Sequence, residues 1–168
     1  LDAEDQARVL QLVQQHCELV VRRFDGTTVQ CNEQGLLACF GYPVAFEDAA
    51  LRAARTGLGL IESLQSLADQ LRHQHQLELQ SWCTIHTGPA VVEANADGIS
   101  LVGEARHIAL RLESVAVPGH VICTDDTHRL FRSRANCTGL GDRRIKGVAR
   151  PIDLFSIQSV DESRSVFE

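Results

Sequence analysis

The chain of 168 residues contains no methionine, a single lysine, and only 5% aromatic residues. With so few aromatics, any core must be built from Leu, Val, Ile and Ala. No apolar run approaches the roughly 18 residues of a membrane-spanning helix. The opening residues, Leu1-Asp2-Ala3-Glu4-Asp5, are acidic, which is unlike a secretory signal. Without Met even at position 1, the chain reads as a piece of a longer protein. No pair among the six cysteines, at 17, 31, 39, 83, 123 and 137, has C-x-x-C spacing, which argues against a zinc knuckle. Most of them lie in apolar runs, where Cys acts as a small hydrophobe. Reduced thiols and a cytoplasmic setting are expected.

What is present describes an ordinary folded domain. Hydrophobic residues make up 44% and charged residues 23% of the chain, enough for a real core in one domain. The net charge of −6 argues against nucleic-acid binding, which needs a basic face. Fifteen of the sixteen basic residues are Arg, and the one Lys is Lys146. His73 and His75 form H-x-H, but no carboxylate or Cys stands near enough in sequence to complete a metal site. They read as a solvated helix end.

Periodicity predicts the elements. Val9, Val13, Cys17, Val20 and Phe24 recur at helical steps, so residues 3–24 form a helix capped by Asp2 and ended by Asp25-Gly26. Residues 27–32 and 35–40 read as strands joined by the polar turn Asn32-Glu33-Gln34-Gly35. Residues 46–73 read as a long helix whose small residues, Ala50, Ala53 and Gly57, come first and permit close approach to a sheet. Residues 77–87 alternate as a strand, turn at Thr87-Gly88-Pro89, and continue into a strand over 90–93. A loop over 95–98, a helix over 104–116, a strand over 120–124, a short helix over 125–132 and strands near 136–140 and 152–158 follow. The domain spans 1–158, and 159–168 reads as a polar tail or linker. The order predicts an α+β fold, an α/β sandwich with helices on a mainly antiparallel sheet. The hairpin 27–40 and the strand 77–87 are expected in one sheet, with the helices 3–24 and 46–73 on one face.

Three stretches carry a resemblance. The first is Phe24-Asp25-Gly26-Thr27 through Gly35 to Pro43, followed by Glu47-Asp48-Ala49-Ala50. The second is Ile85-His86-Thr87-Gly88-Pro89-Ala90-Val91-Val92. The third is Val102-Gly103-Glu104 through Ala109-Leu110-Arg111-Leu112, then Pro118-Gly119 and Ile145-Lys146-Gly147. In this order and spacing they resemble the class III adenylate and guanylate cyclase catalytic domain, of the bacterial type found in larger signalling proteins. The resemblance implies a ferredoxin-like core working as a head-to-tail dimer, with ATP or GTP between subunits. One subunit supplies two metal-binding Asp residues for Mg²⁺ or Mn²⁺. The other supplies base-reading residues, a ribose-orienting Asn, a transition-state Arg and a phosphate-binding Lys. Such chemistry needs metal to activate the ribose 3′-oxygen and a fixed cation beside the pentavalent phosphorus.

Carried over residue by residue, the resemblance is incomplete. The first metal Asp belongs to a strand that precedes Leu1 in the family. The second metal Asp position falls on Gln34, a poor Mg²⁺ ligand. The base-reading positions fall on Gln30, where adenylate cyclases have Lys, and on Ser100. The ribose Asn position falls on His107. The transition-state Arg is intact as Arg111, and the phosphate Lys as Lys146, beside Arg143 and Arg144. Two cations remain while one metal ligand, the Asn and the adenine Lys do not.

Three functions follow. A catalytically impaired cyclase-homology module would dimerise or sense nucleotide in a signalling protein, without a metal cofactor. An active cyclase would use Mg²⁺ or Mn²⁺ to form cyclic AMP or cyclic GMP, as a homodimer or as half of a heterodimer. An unrelated ferredoxin-like regulatory domain is opposed by the Phe40-Gly41-Tyr42-Pro43 and His86-Thr87-Gly88-Pro89 stretches. The substitutions at Gln34, Gln30 and His107 favour the first.

Overall fold

The helix periodicities are realised where the apolar faces meet. In the computed structural model, which describes residues 2–161, the first helix is α1 (Ala3–Arg23), and Asp2 caps it by accepting from the Asp5 backbone N–H at 2.8 Å. The second, α2 (Ala49–His75), starts three residues later than expected. Asp48 at its N-cap makes no capping bond, because its carboxylate accepts from Arg52 Nε at 2.8 Å instead. Gln76, in the left-handed region at φ 55°, ends α2.

β1 (Thr27–Asn32) and β2 (Gly35–Cys39) form an antiparallel ribbon. Glu33 and Gln34 are its turn, and the Asn32 side chain accepts from the Gln34 backbone N–H at 2.8 Å. A second ribbon repeats the device. β4 (Val91–Asn95) pairs with β5 (Gly98–Val102), and Asn95 accepts from the Asp97 N–H at 3.0 Å. The expected loop over 95–98 is therefore the tip of a hairpin, and β5 is a strand that sequence reading had not identified.

The main sheet has four strands in the order β3 (Cys83–Ile85), β6 (Val121–Thr124), β8 (Ile152–Val160), β7 (Ala135–Arg143). The last three pair antiparallel, and β3 runs parallel to β6. α3 (Glu104–Arg111) passes into a 3₁₀ turn, Leu112–Val115, and α4 (Asp125–Leu130) follows β6. β8 reaches two residues into the stretch read as a tail; residues 162–168 lie outside the described residues.

Three strand expectations are corrected. The β1–β2 ribbon and β3 do not share a sheet. Leu77 and Leu79 also do not belong to a strand: they pack against the buried cluster of Cys17, Leu64, Leu67 and Leu71 between the helices. Their alternation is satisfied by helix packing rather than by a ladder. Nor does β3 turn back into β4. The Pro89 carbonyl accepts instead from the Ala105 N–H at 3.3 Å, tying the turn to the start of α3.

α1 packs on α2 and on the β1–β2 ribbon, while α2 packs on β3, β6 and β8. The small-residue end of α2 allows this. A Cβ added at Gly57 would stand 2.8 Å from Val121 Cγ1 and 3.1 Å from Cys83 Sγ. The core beneath joins Leu51, Ala54, Ile61, Val121, Cys123, Phe131 and Ile157. All six cysteines are free thiols. Burial pushes the Cys17 thiol up to about 11 and those of Cys83 and Cys123 up to about 12, so these sulfurs are structural rather than reactive at neutral pH. No helix among the described residues is long and apolar enough to cross a membrane.

Candidate functional site

Ala105, Ile108 and Leu112 anchor α3 and the 3₁₀ turn that follows it into the core. Ile108 and Leu112 join Ile122, Ile145, Ile152 and Leu154 in a second buried cluster. The opposite face of α3 is left outward, and His107 and Arg111 stand one turn apart on it. Buried Ile145 fixes the loop that follows β7. Gly147, which follows exposed Lys146, is thereby held against α3. His107 Nε2 donates to the Gly147 carbonyl at 3.0 Å, so the proton of the neutral imidazole is on Nε2. Gly147 has φ +86°, and a Cβ there would lie 3.1 Å from Arg111 Nε. Glycine takes this φ without strain, and any side chain there would push the guanidinium aside.

Arg111 and His107 thus share one surface with the Gly147 backbone, and exposed Lys146 precedes that glycine. Leu101, Val102, Gly103, Arg106, His107, Leu110 and Arg111 line an open recess of about 450 Å³ there. Arg143 ends β7 opposite Ile152, and Arg144 is exposed in the loop that leads to Lys146. Among the described residues, Arg106, Arg111, Arg143, Arg144 and Lys146 make no ion pair. Gln30 is exposed on β1 and Ser100 half-buried on β5, and these two strands lie side by side. The base-reading positions therefore sit on neighbouring ribbons. Sequence reading assigned no role to Arg106, which lies inside the third stretch of the resemblance. Its signal was a cation on the outward side of an amphipathic helix.

Gln34 lies elsewhere, in the turn of the first ribbon. That turn borders a mainly apolar recess of about 300 Å³ between α1, the ribbon and the Leu77–Leu79 segment. Exposed Glu33 is the one carboxylate in the turn, and the Asn32 side chain is engaged by the Gln34 backbone N–H. No group of three His, Cys, Asp or Glu side chains suited to a metal ion occurs among the described residues. A neutral amide and one solvated carboxylate do not supply the charge that strips water from Mg²⁺, so these residues do not fit the family's metal.

Behind α3, the ring of His86 meets Thr124 Oγ1 through Nδ1 at 2.8 Å. Burial pushes the His86 imidazole below its ordinary value of 6.5, and Arg150 adds to this, while Asp126, Glu104 and Asp125 oppose it. The folded state therefore takes up a proton less readily than the unfolded chain. As pH falls through the histidine range the unfolded chain protonates first, and stability is lost. The stabilisation is complete above the ordinary value and disappears below the depressed one. Thermal melts at about pH 7.5 and about pH 5.5 should show a drop that is smaller in His86→Asn. An equal drop in both proteins would exclude His86 as its source.

The sequence model described as the adenylate and guanylate cyclase catalytic domain matches residues 2–159. Among solved structures, the adenylyl cyclase CyaB from P. aeruginosa superposes with a TM-score of 0.87 at 21% identity, covering 98% of this chain and 88% of that one. The guanylyl cyclase Cya2 gives 0.90 at 24% identity, over 97% and 85% of the two chains. These likenesses establish the fold. Adenylate cyclase 1 of Rhizobium meliloti is 28% identical over 153 residues, 84% of this chain. An uncharacterized protein of the same organism is 26% identical over 155 residues, 90% of this chain. The chain spans only 22% and 15% of the lengths of these two relatives. With the family match running over nearly every described residue, the chain belongs to the adenylate and guanylate cyclase catalytic domain family.

Proposed function

We propose that this chain is a catalytically impaired cyclase-homology module of a cytoplasmic signalling protein, binding a nucleotide polyphosphate and pairing with a second cyclase-like domain. One observation carries the reading. Arg111 and the Lys146–Gly147 loop meet on one surface, whereas the turn at the metal position offers Gln34 and Glu33 alone. Of the family positions this chain contains, the two phosphate-facing cations are kept, and Gln34 replaces the second metal carboxylate. Arg111 presents a planar fork to phosphate oxygens, and Lys146 a compact point charge. On a chain of net charge −6, these cations with Arg143 and Arg144 form a local exception to the field.

Pairing is supported by the rim of the same recess. Val102 and Leu110 are 50% and 45% exposed, and Val91, opposite Val102 on the second ribbon, is 61% exposed. Apolar groups in such company mark a covered surface. Arg111 and the metal-position turn border different recesses, as any head-to-tail pair would have them, and the replacement at Gln34 favours a second reading. In it the chain is the cation-supplying half of a heterodimer whose partner supplies both Asp residues and binds Mg²⁺ or Mn²⁺.

ATP titrated against the chain at low salt should bind weakly, and affinity should fall as salt rises, because exposed charges are screened. Lys146→Ala should weaken binding several-fold. Unchanged binding in that variant, or none in the natural chain at low salt, would leave only a dimerisation module.

A further inference from the structure

The recess on α3 holds a cation to which the resemblance assigns no role. Arg106 lines it together with His107 and Arg111, and no acidic side chain shares the lining. Elsewhere in the fold, Arg52, Arg72, Arg129 and Arg150 each sit on a carboxylate, while half-buried Arg55 on α2 has no ion pair among the described residues. Arg106 is half-buried, yet among the described residues it has neither an ion pair nor a hydrogen-bond acceptor. A guanidinium carries five N–H donors, and partial burial removes water from some of them without compensation. Such a group is placed to receive an anion.

We propose that Arg106 is a phosphate-binding residue of this recess, acting with Arg111 on the polyphosphate chain of a nucleotide without a divalent metal. This rests on the nucleotide-binding reading above. Five residues apart on a helix, the two Cα atoms are separated by about 7.5 Å along the axis and turned by about 140°. The two side chains therefore leave α3 on either flank of Leu110 and His107 and bracket the recess between them. A linear chain of phosphates matches two separated cations better than one phosphate does. The charge balance points the same way. Where the metal-position turn offers Gln34 and Glu33, the negative charge that a metal would offset has to meet fixed cations, and Arg106 adds one where the helix surface would otherwise be neutral.

The test uses inorganic triphosphate in excess EDTA, followed by calorimetry at low and moderate salt. It compares the natural chain with Arg106→Gln, Arg106→Lys, Lys146→Ala and a remote control, Arg8→Gln on α1. Circular dichroism and melting temperature confirm that each variant is folded. The expected result is metal-free binding that weakens about tenfold in Arg106→Gln, recovers in part in Arg106→Lys, and is unchanged in Arg8→Gln. The salt dependence should also become shallower in Arg106→Gln. If Arg106→Gln binds like the natural chain while Lys146→Ala is weakened, the role of Arg106 is overturned and the nucleotide-binding reading stands. If Arg106→Gln is weakened and Lys146→Ala is not, the recess binds phosphate through Arg106 and the placement of Lys146 is wrong. Absence of binding by the natural chain at low salt overturns both.

Discussion

Incubated alone with ATP or GTP and millimolar Mg²⁺ or Mn²⁺, the chain should form no cyclic nucleotide above background. The expected deficit is several orders of magnitude against an intact cyclase, because the proposed correspondence alters several groups that act on one transition state. The position of a metal carboxylate holds Gln34, in the exposed turn of a hairpin. The ribose Asn position holds His107, whose Nε2 proton is already donated to the Gly147 carbonyl. The adenine Lys position holds Gln30. Each such loss can cost orders of magnitude, and losses in one site do not simply add. For the same reason Gln34→Asp alone should not create activity. Steady cyclic AMP production by the natural chain, abolished in Arg111→Ala, would overturn this expectation. Production that appears only after mixing with a second cyclase domain, and is lost in Arg111→Ala, would establish the heterodimer reading.

Replacing Phe131 by Ala should cost about 3–5 kcal/mol of folding stability. Phe131 is 1% exposed where α4 ends, and it packs in the cluster of Leu51, Ala54, Ile61, Val121, Cys123 and Ile157. This cluster joins α2 to β6 and β8, so the lost ring leaves a void that three elements would have to close. The neighbouring rings, Phe155 packed on the cluster and His128 edge-on to Phe131, are stacked on each other at 3.8 Å, so filling the gap would break that stack. The melting temperature should fall by roughly 10 °C. Leu130→Ala, one residue earlier and 48% exposed, should change stability by less than about 0.5 kcal/mol. Urea unfolding of both variants checks the pair. A loss below about 1 kcal/mol in Phe131→Ala would mean that the cluster relaxes around the gap.

Where burial is periodic along one segment, the sequence was legible. The apolar face of α1, its Asp2 cap and the turn at Asn32-Glu33-Gln34-Gly35 were all readable, since each depends on residues within a few positions of one another. The early small residues of α2 correctly announced a close approach, realised at Gly57 against Val121. Leu77 and Leu79 misled for a related reason. Alternation reports that side chains are buried, not whether a ladder or a helix pair buries them. The β5 strand was hidden behind its own turn, because Asn95-Ala96-Asp97-Gly98 has the composition of a loop as well as of a hairpin tip.

By itself the sequence determined the helices, the first hairpin, the α+β class and, through the three stretches that carry the resemblance, the family. The tertiary structure alone decided that β3 runs parallel to β6, that the first ribbon is bonded apart from the main sheet, and that Arg106 belongs to the cation surface. The physical reason is range. Helical faces and turns are selected by contacts a few residues apart, which local side-chain pattern encodes directly. The pairing of Ile85 with Cys123 and the seating of Gly147 against Arg111 join residues about forty apart. Such contacts are chosen by how the whole core packs, and no single segment carries them.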